Sequence, residues 1–380
     1  MRERLRGSRV LQAARFLPYS IPHFFWRILR PVRAERVLFL SDSHDGFTGN
    51  MAFLRDAIAR RHPHAEIVGV FKPRLSARRS VRDFVRLPYL IATSGIIVLD
   101  DFYPLIYQLW MRRRNRLVQI WHAAGAFKQV GHSRAGLPGG PLPGSRIHRN
   151  YTDAAVSSEG IVDDYAEAFG IARERVHAWG MPRSDVFFDD DARTEIRTRV
   201  RERFGIRDDQ RFVVYAPTFR GNGQLSAKAA PVADWAAIAQ TLGDDWRVGV
   251  RQHPFVRTTG LAAGIIDASA EADMNDLLMA TDVLITDYSS AIFEYALLRR
   301  PIVFFVPDLE DYTEARSFYR PFSDYAVGPV VSDAGELAAA IADALVDDVR
   351  LDRFLAEFCG ALDGNSSDRI ADELLRGATA

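Results

Sequence analysis

Lysine is nearly missing from this 380-residue chain: Lys72, Lys128 and Lys228 stand against 46 arginines. Arginine carries almost all the positive charge, so an arginine at any one position is no mark of function. Cysteine is scarcer still. The single Cys359 excludes an internal disulfide and a cysteine-cluster metal site, and it points to a reducing, cytoplasmic setting. No run of 18 apolar residues occurs, so no segment reads as a transmembrane helix. A net charge is also lacking, since 49 basic and 49 acidic residues balance and favour no class of partner. The phosphate-loop signature G-x-x-x-x-G-K-[ST], a G-x-G-x-x-G turn after the first strand and the zinc motif H-E-x-x-H are all absent. No nucleic-acid module is recognisable.

What is present begins with a local imbalance. Residues 1–36 carry nine arginines and two glutamates. The stretch "RFLPYSIPHFFWRILRPVRAER" mixes prolines and arginines through its aromatics, unlike a secretory leader. Segment 1–34 therefore stands apart, with two arrangements open. It could lie at an anionic membrane surface, where each arginine adds about 1 kcal/mol of attraction and aromatic rings enter the interface. It could equally pack on the first domain as a terminal helix. Pro18 and Pro22 predict that no single long amphipathic helix forms here.

Beyond it, short apolar strands alternate with helical patterns: "RVLFL" (36–40), "EIVGV" (66–70), "GIIVL" (95–99), "LVQI" (117–120) and "DAAV" (153–156). Continuous apolar strands are buried on both faces, as parallel sheets covered by helices require. A second series follows the break at "WGMPRSDVFFDD": "FVVY" (212–215), "WRVGV" (246–250), "DVLI" (282–285), "IVFF" (302–305) and "PVV" (329–331). The expectation is an α/β protein of two doubly wound, Rossmann-like domains facing a central cleft, over residues 35–180 and 181–348. Terminal helices would fill 349–380. Ligands of such sheets bind at the carboxyl ends of the strands.

Four polar groups fall at those ends: Trp121 and His122; Thr218 and Arg220; Arg251 and His253; and Asp287, Ser289 and Ser290. Histidine near neutrality suits base chemistry and phosphate contact. Arg251 and His253, two apart in an extended segment, share a side and would clamp an anion. The small residues Ala123, Ala124 and Gly125 after His122 would leave space for a ligand. In "TDYSS" (286–290) the hydroxyls and free N–H groups of a helix start would hold a phosphate, although a single N-cap would explain one of the three residues. Asp287 cannot contact phosphate while ionised and would orient a neighbour. The pair Asp100–Asp101 reads as a strand end in solvent, and no metal is expected.

The run "LLMATDVLITDYSSAIFEYALLRRPIVFFVPDLEDY" closely resembles the central motif of the CDP-glycerol glycerophosphotransferases. "QIWHAAGAFKQVG", "VVYAPTFRGN" and "RQHP" match in the same order. "VLFLSDSHDGFTGN", "GMPRSDVFF" and "AVGPVVSDAGEL" agree more weakly. The resemblance spans about residues 36–338. It implies a GT-B fold and transfer of a polyol phosphate from CDP-glycerol or CDP-ribitol to a hydroxyl of a lipid-linked glycan or polymer. CMP would be released in teichoic acid or capsule-type synthesis at the inner membrane face. It implies His122 as general base and His253 as the group that binds and neutralises the diphosphate. Thr218, Arg220, Arg251, Asp287, Ser289, Ser290 and Glu294 would lie on the donor side, Trp121 and Lys128 on the acceptor side. The CDP-polyol is a substrate, and no cofactor is implied. This chain departs from the pattern at Ala123, where the family has glycine, and at Glu294, where it has aspartate. Two other readings fit the same residues: a GT-B glycosyltransferase using a nucleotide sugar, and a catalytically degenerate scaffold that binds nucleotide or glycan.

Overall fold

The computed structural model describes residues 9–72, 79–221, 227–256 and 260–376. The chain forms two compact units, one of residues 1–122, 141–185 and 361–380 and the other of 123–140 and 186–360. The expected contiguous boundaries are therefore corrected twice. The stretch 123–140 leaves the first unit for the second, and the last 20 residues return to the first. A chain read linearly gives no sign of either crossing, because both rest on tertiary contacts.

The first unit is built on a parallel sheet in the order β2-β1-β3-β4-β5-β6. Its strands are Arg33–Leu40 (β1), Glu66–Val70 (β2), Ser94–Leu99 (β3), Arg116–Gln119 (β4), Asp153–Ala155 (β5) and Val176–His177 (β6). Strand alternation sends Val37 and Phe39 to one face. There they pack with Met51, Leu54 and Ile58 of helix Gly49–Arg61 and with Ile370 and Leu374 of the closing helix Ser366–Leu375. That closing helix is anchored from its N-terminus: the Asp185 carboxylate accepts the N–H groups of Ser366 (2.9 Å) and Ser367 (2.7 Å). Gly180 (φ +88°) passes so close that a Cβ there would lie 2.2 Å from the Ser366 hydroxyl. The "GMPRSD" stretch thus seats the terminal helix and, at Asp185–Val186, carries the chain from the first unit into the second.

The second unit repeats the plan in the order β12-β11-β10-β7-β8-β9. Its strands are Arg211–Tyr215 (β7), Trp246–Val250 (β8), Ile266–Asp267 (β9), Val283–Thr286 (β10), Ile302–Phe305 (β11) and Val330–Val331 (β12). In each unit the order reverses beside the first strand, at β1/β3 and at β7/β10. These are the topological switch points at which open α/β sheets bind ligands. The two-residue strands β6 and β9 carry too little periodicity to be read from sequence.

One expectation fails at the N-terminus. Residues Arg9–Leu29 form a single helix with Pro18 and Pro22 inside it. Residues 1–8 of the basic segment lie outside the described residues. Each proline removes one backbone bond, and packing on helix Val81–Thr93 offsets the loss. Tyr19 stacks on Phe84 (centroids 4.8 Å), Trp26 meets Tyr89 edge-on (5.3 Å), and His23 is buried. Tyr19, His23 and Trp26 are spaced four and three residues apart, which is one continuous helical face across both prolines.

Candidate functional site

In the second unit, the loops after β7 and β10 are joined by one carboxylate. Asp287 has no exposed surface. Its Oδ1 accepts the N–H (2.9 Å) and the hydroxyl (3.0 Å) of Thr218 and the N–H of Tyr288 (2.6 Å), and its Oδ2 accepts from Arg220 (2.8 Å). Arg220 also forks onto Asp308 after β11 at 2.6 and 3.0 Å, and its guanidinium lies 5.2 and 4.7 Å from the ring centroids of Tyr288 and Tyr312. Burial opposes the Arg220 charge, but Asp308 and Asp287 outweigh it and raise its pKa. Both carboxylates engage this arginine, so Arg220 is a strut that fixes three strand-end loops. It is not an open phosphate ligand, as expected from sequence. The partner Asp308 lies 88 residues away and could not be seen from the motif.

That strut presents Ser289 and Ser290. Both are partly exposed at the start of helix Ala291–Ala296, and the Ser290 side chain makes no cap bond. The Ser289 hydroxyl accepts the Ala291 N–H at 3.2 Å. Glu294, in contrast, is buried (2% exposed) beside Cys359, whose thiol is raised by burial and by this neighbour. Its carboxyl belongs to the interior, and the donor role expected of it is withdrawn.

His253 follows β8, with its ring against Phe219 and Phe255 (centroids 4.7 and 4.9 Å). Its Nδ1 accepts the Phe255 N–H at 3.2 Å, which leaves Nε2 to carry the proton of the neutral ring. Burial, then Lys128 and Arg251, lower its pKa to about 4. At neutral pH, without a bound anion, it is therefore an uncharged donor rather than a cation. Arg251 donates from Nη1 to the Glu271 carbonyl (2.8 Å) and from Nη2 to the Ala272 carbonyl (3.3 Å), which anchors the guanidinium and leaves three of its five N–H groups for other acceptors. Lys128, expected from sequence beside Trp121 and His122 on the acceptor side, lies in this second unit, bridged to Phe318 and over the Tyr312 ring. Gly125 (φ +64°) leaves room for a ring rather than a ligand: a Cβ there would come within 2.4 Å of Phe293. A cavity of about 200 Å³ lies beyond the ends of β7 and β8, lined by Tyr215, Val232, Asp234, Trp235, Gln252 and Leu261. Sequence reading missed it, because its walls come from two loops.

In the first unit, His122 closes the loop after β4 and is half exposed, with Nδ1 at 3.7 Å from Asp101 Oδ1. The residue before it, Trp121, has φ +47°. That left-handed conformation costs a bulky side chain about 1–3 kcal/mol. It is held by buried amides: Asn50 Nδ2 donates to the Trp121 carbonyl (2.7 Å), and the Trp121 N–H donates to Gln119 Oε1 (2.9 Å). The indole packs over His122 and against Tyr165 and Phe169. At the β1/β3 switch point, Asp100 is buried and bonded to His44 (3.1 Å), a contact that raises the histidine's pKa. Asp101 accepts the Ser43 hydroxyl at 2.7 Å. The pair expected at a solvated strand end is instead a structured part of this edge, and the histidine partners contributed by other strands explain why sequence missed it.

Two parallel-sheet α/β units, each with a switch point in its strand order, make a GT-B-like scaffold. The model of the CDP-glycerol:poly(glycerophosphate) glycerophosphotransferases matches residues 23–376, and the chain belongs to that family. It is 39% identical over 377 residues to the teichoic acid poly(ribitol-phosphate) polymerase of Bacillus spizizenii, covering 97% of this chain and 61% of that protein. To the teichoic acid ribitol-phosphate primase of the same species it is 33% identical, covering 90% of this chain and 92% of the relative. The solved wall teichoic acid polymerase TagF superposes with a TM-score of 0.77 at 21% identity, over 95% of this chain and 94% of that one. At that identity the likeness speaks for the fold.

Proposed function

We propose that this protein transfers a polyol phosphate from a CDP-activated donor to a hydroxyl of a teichoic acid-type glycan or polymer. The acceptor oxygen bonds to the β-phosphorus, the bond from that phosphorus to the bridging oxygen breaks, and CMP leaves carrying the bridging oxygen. His122 takes the hydroxyl proton. Such transfer depends on positioning and charge stabilisation. The observation that carries the reading is the family match across residues 23–376, with both motif histidines and both motif serines present. Ser289, Ser290 and the Nε2–H of His253 meet the diphosphate, with Lys128 supplying charge. The aromatic-floored cavity beside Trp235 suits the nucleoside.

Ribitol is the favoured polyol. Ribitol-phosphate polymerases and a primase are 33–39% identical to this chain, against 26–30% for the glycerol-phosphate enzymes. The test is CMP release from CDP-ribitol and from CDP-glycerol, with His253→Ala as control. Release from CDP-ribitol that collapses in the variant supports the reading. Release that is indifferent to His253 removes its role, and turnover of a nucleotide sugar alone favours the glycosyltransferase alternative.

The acceptor's lipid anchor suits a docking surface on the N-terminal helix. Leu17, Ile21, Phe24, Phe25, Ile28 and Leu29 are each at least half exposed, on the side away from helix Val81–Thr93. With Arg27 and Arg30 in the same segment, this is the composition of a helix lying in an anionic membrane interface. No helix among the described residues is long and apolar enough to cross a membrane.

A further inference from the structure

Asp101 and His122 sit on different loops, after β3 and β4, yet one fully buried side chain measures the distance between them. Gln119 Nε2 donates to the Asp101 carbonyl (3.2 Å) and to the Tyr151 hydroxyl (3.0 Å), while its Oε1 accepts the Trp121 N–H (2.9 Å). All three bonds of this amide are consistent with a single orientation of the group. Asn50, also buried, holds the other side of Trp121 through its carbonyl and is itself fixed by the Arg183 N–H at 3.0 Å. Asp101 is fixed in turn by Ser43 Oγ (2.7 Å) and by the Phe102 N–H (2.6 Å). A bulky residue forced into the left-handed region, with both its peptide groups bonded to buried amides, is a strained feature that the surrounding structure over-determines. Such outliers point toward function.

We infer that Asp101 is a positioning residue for His122, and that the Gln119–Trp121–Asn50 clamp sets their spacing. The carboxylate selects the ring tautomer with hydrogen on Nδ1, which leaves Nε2 as the lone pair that takes the acceptor's proton. At 3.7 Å the carboxylate already faces Nδ1 closely enough to favour hydrogen there, and the contact shortens further when acceptor is bound, as apo geometries of catalytic pairs commonly do. The inference rests on the proposed polyol-phosphate reading for its role in catalysis. The tautomer itself does not depend on that reading.

The experiment is Asp101→Asn, an isosteric change at a partly exposed side chain, examined in two ways. Turnover with CDP-ribitol should fall about 10²-fold, with KM for the donor within about twofold, because the donor residues lie on the other unit's loops. The ¹⁵N shifts of His122 should report hydrogen on Nδ1 in the unaltered protein and a shift toward Nε2–H in the variant. Unchanged turnover in D101N, or an unchanged tautomer, overturns the inference. Lack of CMP release by the unaltered protein from either CDP-polyol would sink the functional reading, and the nitrogen shifts would then decide the Asp101 assignment alone.

Discussion

Thr218 gives Asp287 two hydrogen bonds, from its N–H at 2.9 Å and its hydroxyl at 3.0 Å, across the point where the strand order of the second sheet reverses. The carboxylate is shielded from water and fully committed to protein donors. On the proposed reading it shapes the surface that meets the diphosphate without touching it.

Asp287→Ala should therefore act on stability first. It strips Thr218 and Tyr288 of their acceptor and leaves the half-buried Arg220 with Asp308 alone. A loss of about 3 kcal/mol is expected, read as a lowered urea midpoint at unchanged slope. A midpoint equal to that of the unaltered protein would show that the hub holds nothing together.

Ser289→Ala and Ser290→Ala should act on binding instead. Each hydroxyl contributes about 1–1.5 kcal/mol to a charged acceptor, so affinity for CDP-ribitol should fall about tenfold per change. Thermal stability should move little in Ser290→Ala, where no cap bond is lost, and somewhat more in Ser289→Ala, which strips the Ala291 N–H of its acceptor. Calorimetric titration checks this. Binding indifferent to both changes would leave "TDYSS" as the start of a helix and nothing more.

Donor binding should also take up a proton below neutrality. Free His253 titrates at about 4; a diphosphate placed at its Nε2 favours the charged ring and raises that value. Near pH 5.5 the binding enthalpy should vary with the buffer's ionisation enthalpy, and His253→Gln should abolish the variation. Buffer-independent enthalpies would place the diphosphate elsewhere.

A second histidine makes stability depend on pH. Burial, then Arg27 and Arg112, hold His23 at about 4 against 6.5 in the unfolded chain. Between those values the unfolded state binds more protons, so stability is highest above pH 6.5 and is lost as pH falls toward 4. The contribution is on the order of 1–3 kcal/mol. His23→Leu should flatten the slope of unfolding free energy against pH in that window. An unaltered slope would show that His23 is not the group responsible.

The N-terminal helix should be tested by charge on its open face rather than by removal. Deleting it would uncover Phe84 and Tyr89, and a resulting loss of solubility would say nothing about lipids. Phe24→Glu with Ile28→Glu leaves Tyr19, His23 and Trp26 seated. Co-sedimentation with vesicles containing anionic lipid should drop at least about tenfold while neutral vesicles bind neither form. Equal co-sedimentation would move the docking surface off this helix.

Most strands were legible because burial on both faces leaves an apolar run, as in "GIIVL" and "IVFF". The positions of His122, His253 and the serines followed from strand ends alone. What could not be read was pairing. Arg220 looked available because Asp308 belongs to another loop, and Asp100 looked solvated because His44 arrives from β1. Lys128, six residues after His122, was assigned with it, yet the chain crosses to the other unit between them. Pro18 and Pro22 argued locally against a helix that Phe84 and Tyr89 stabilise from a distance.

The return of residues 361–380 to the first unit has a temporal consequence. During synthesis the ribosome delivers all six strands of that unit's sheet early, but Ile370, Ala371 and Leu374, which cover Val37 and Phe39, emerge only after the second unit. The first sheet must wait, one face uncovered, while the whole second unit is made. A nascent chain halted near residue 360 should hold a finished second unit and an unfinished first one.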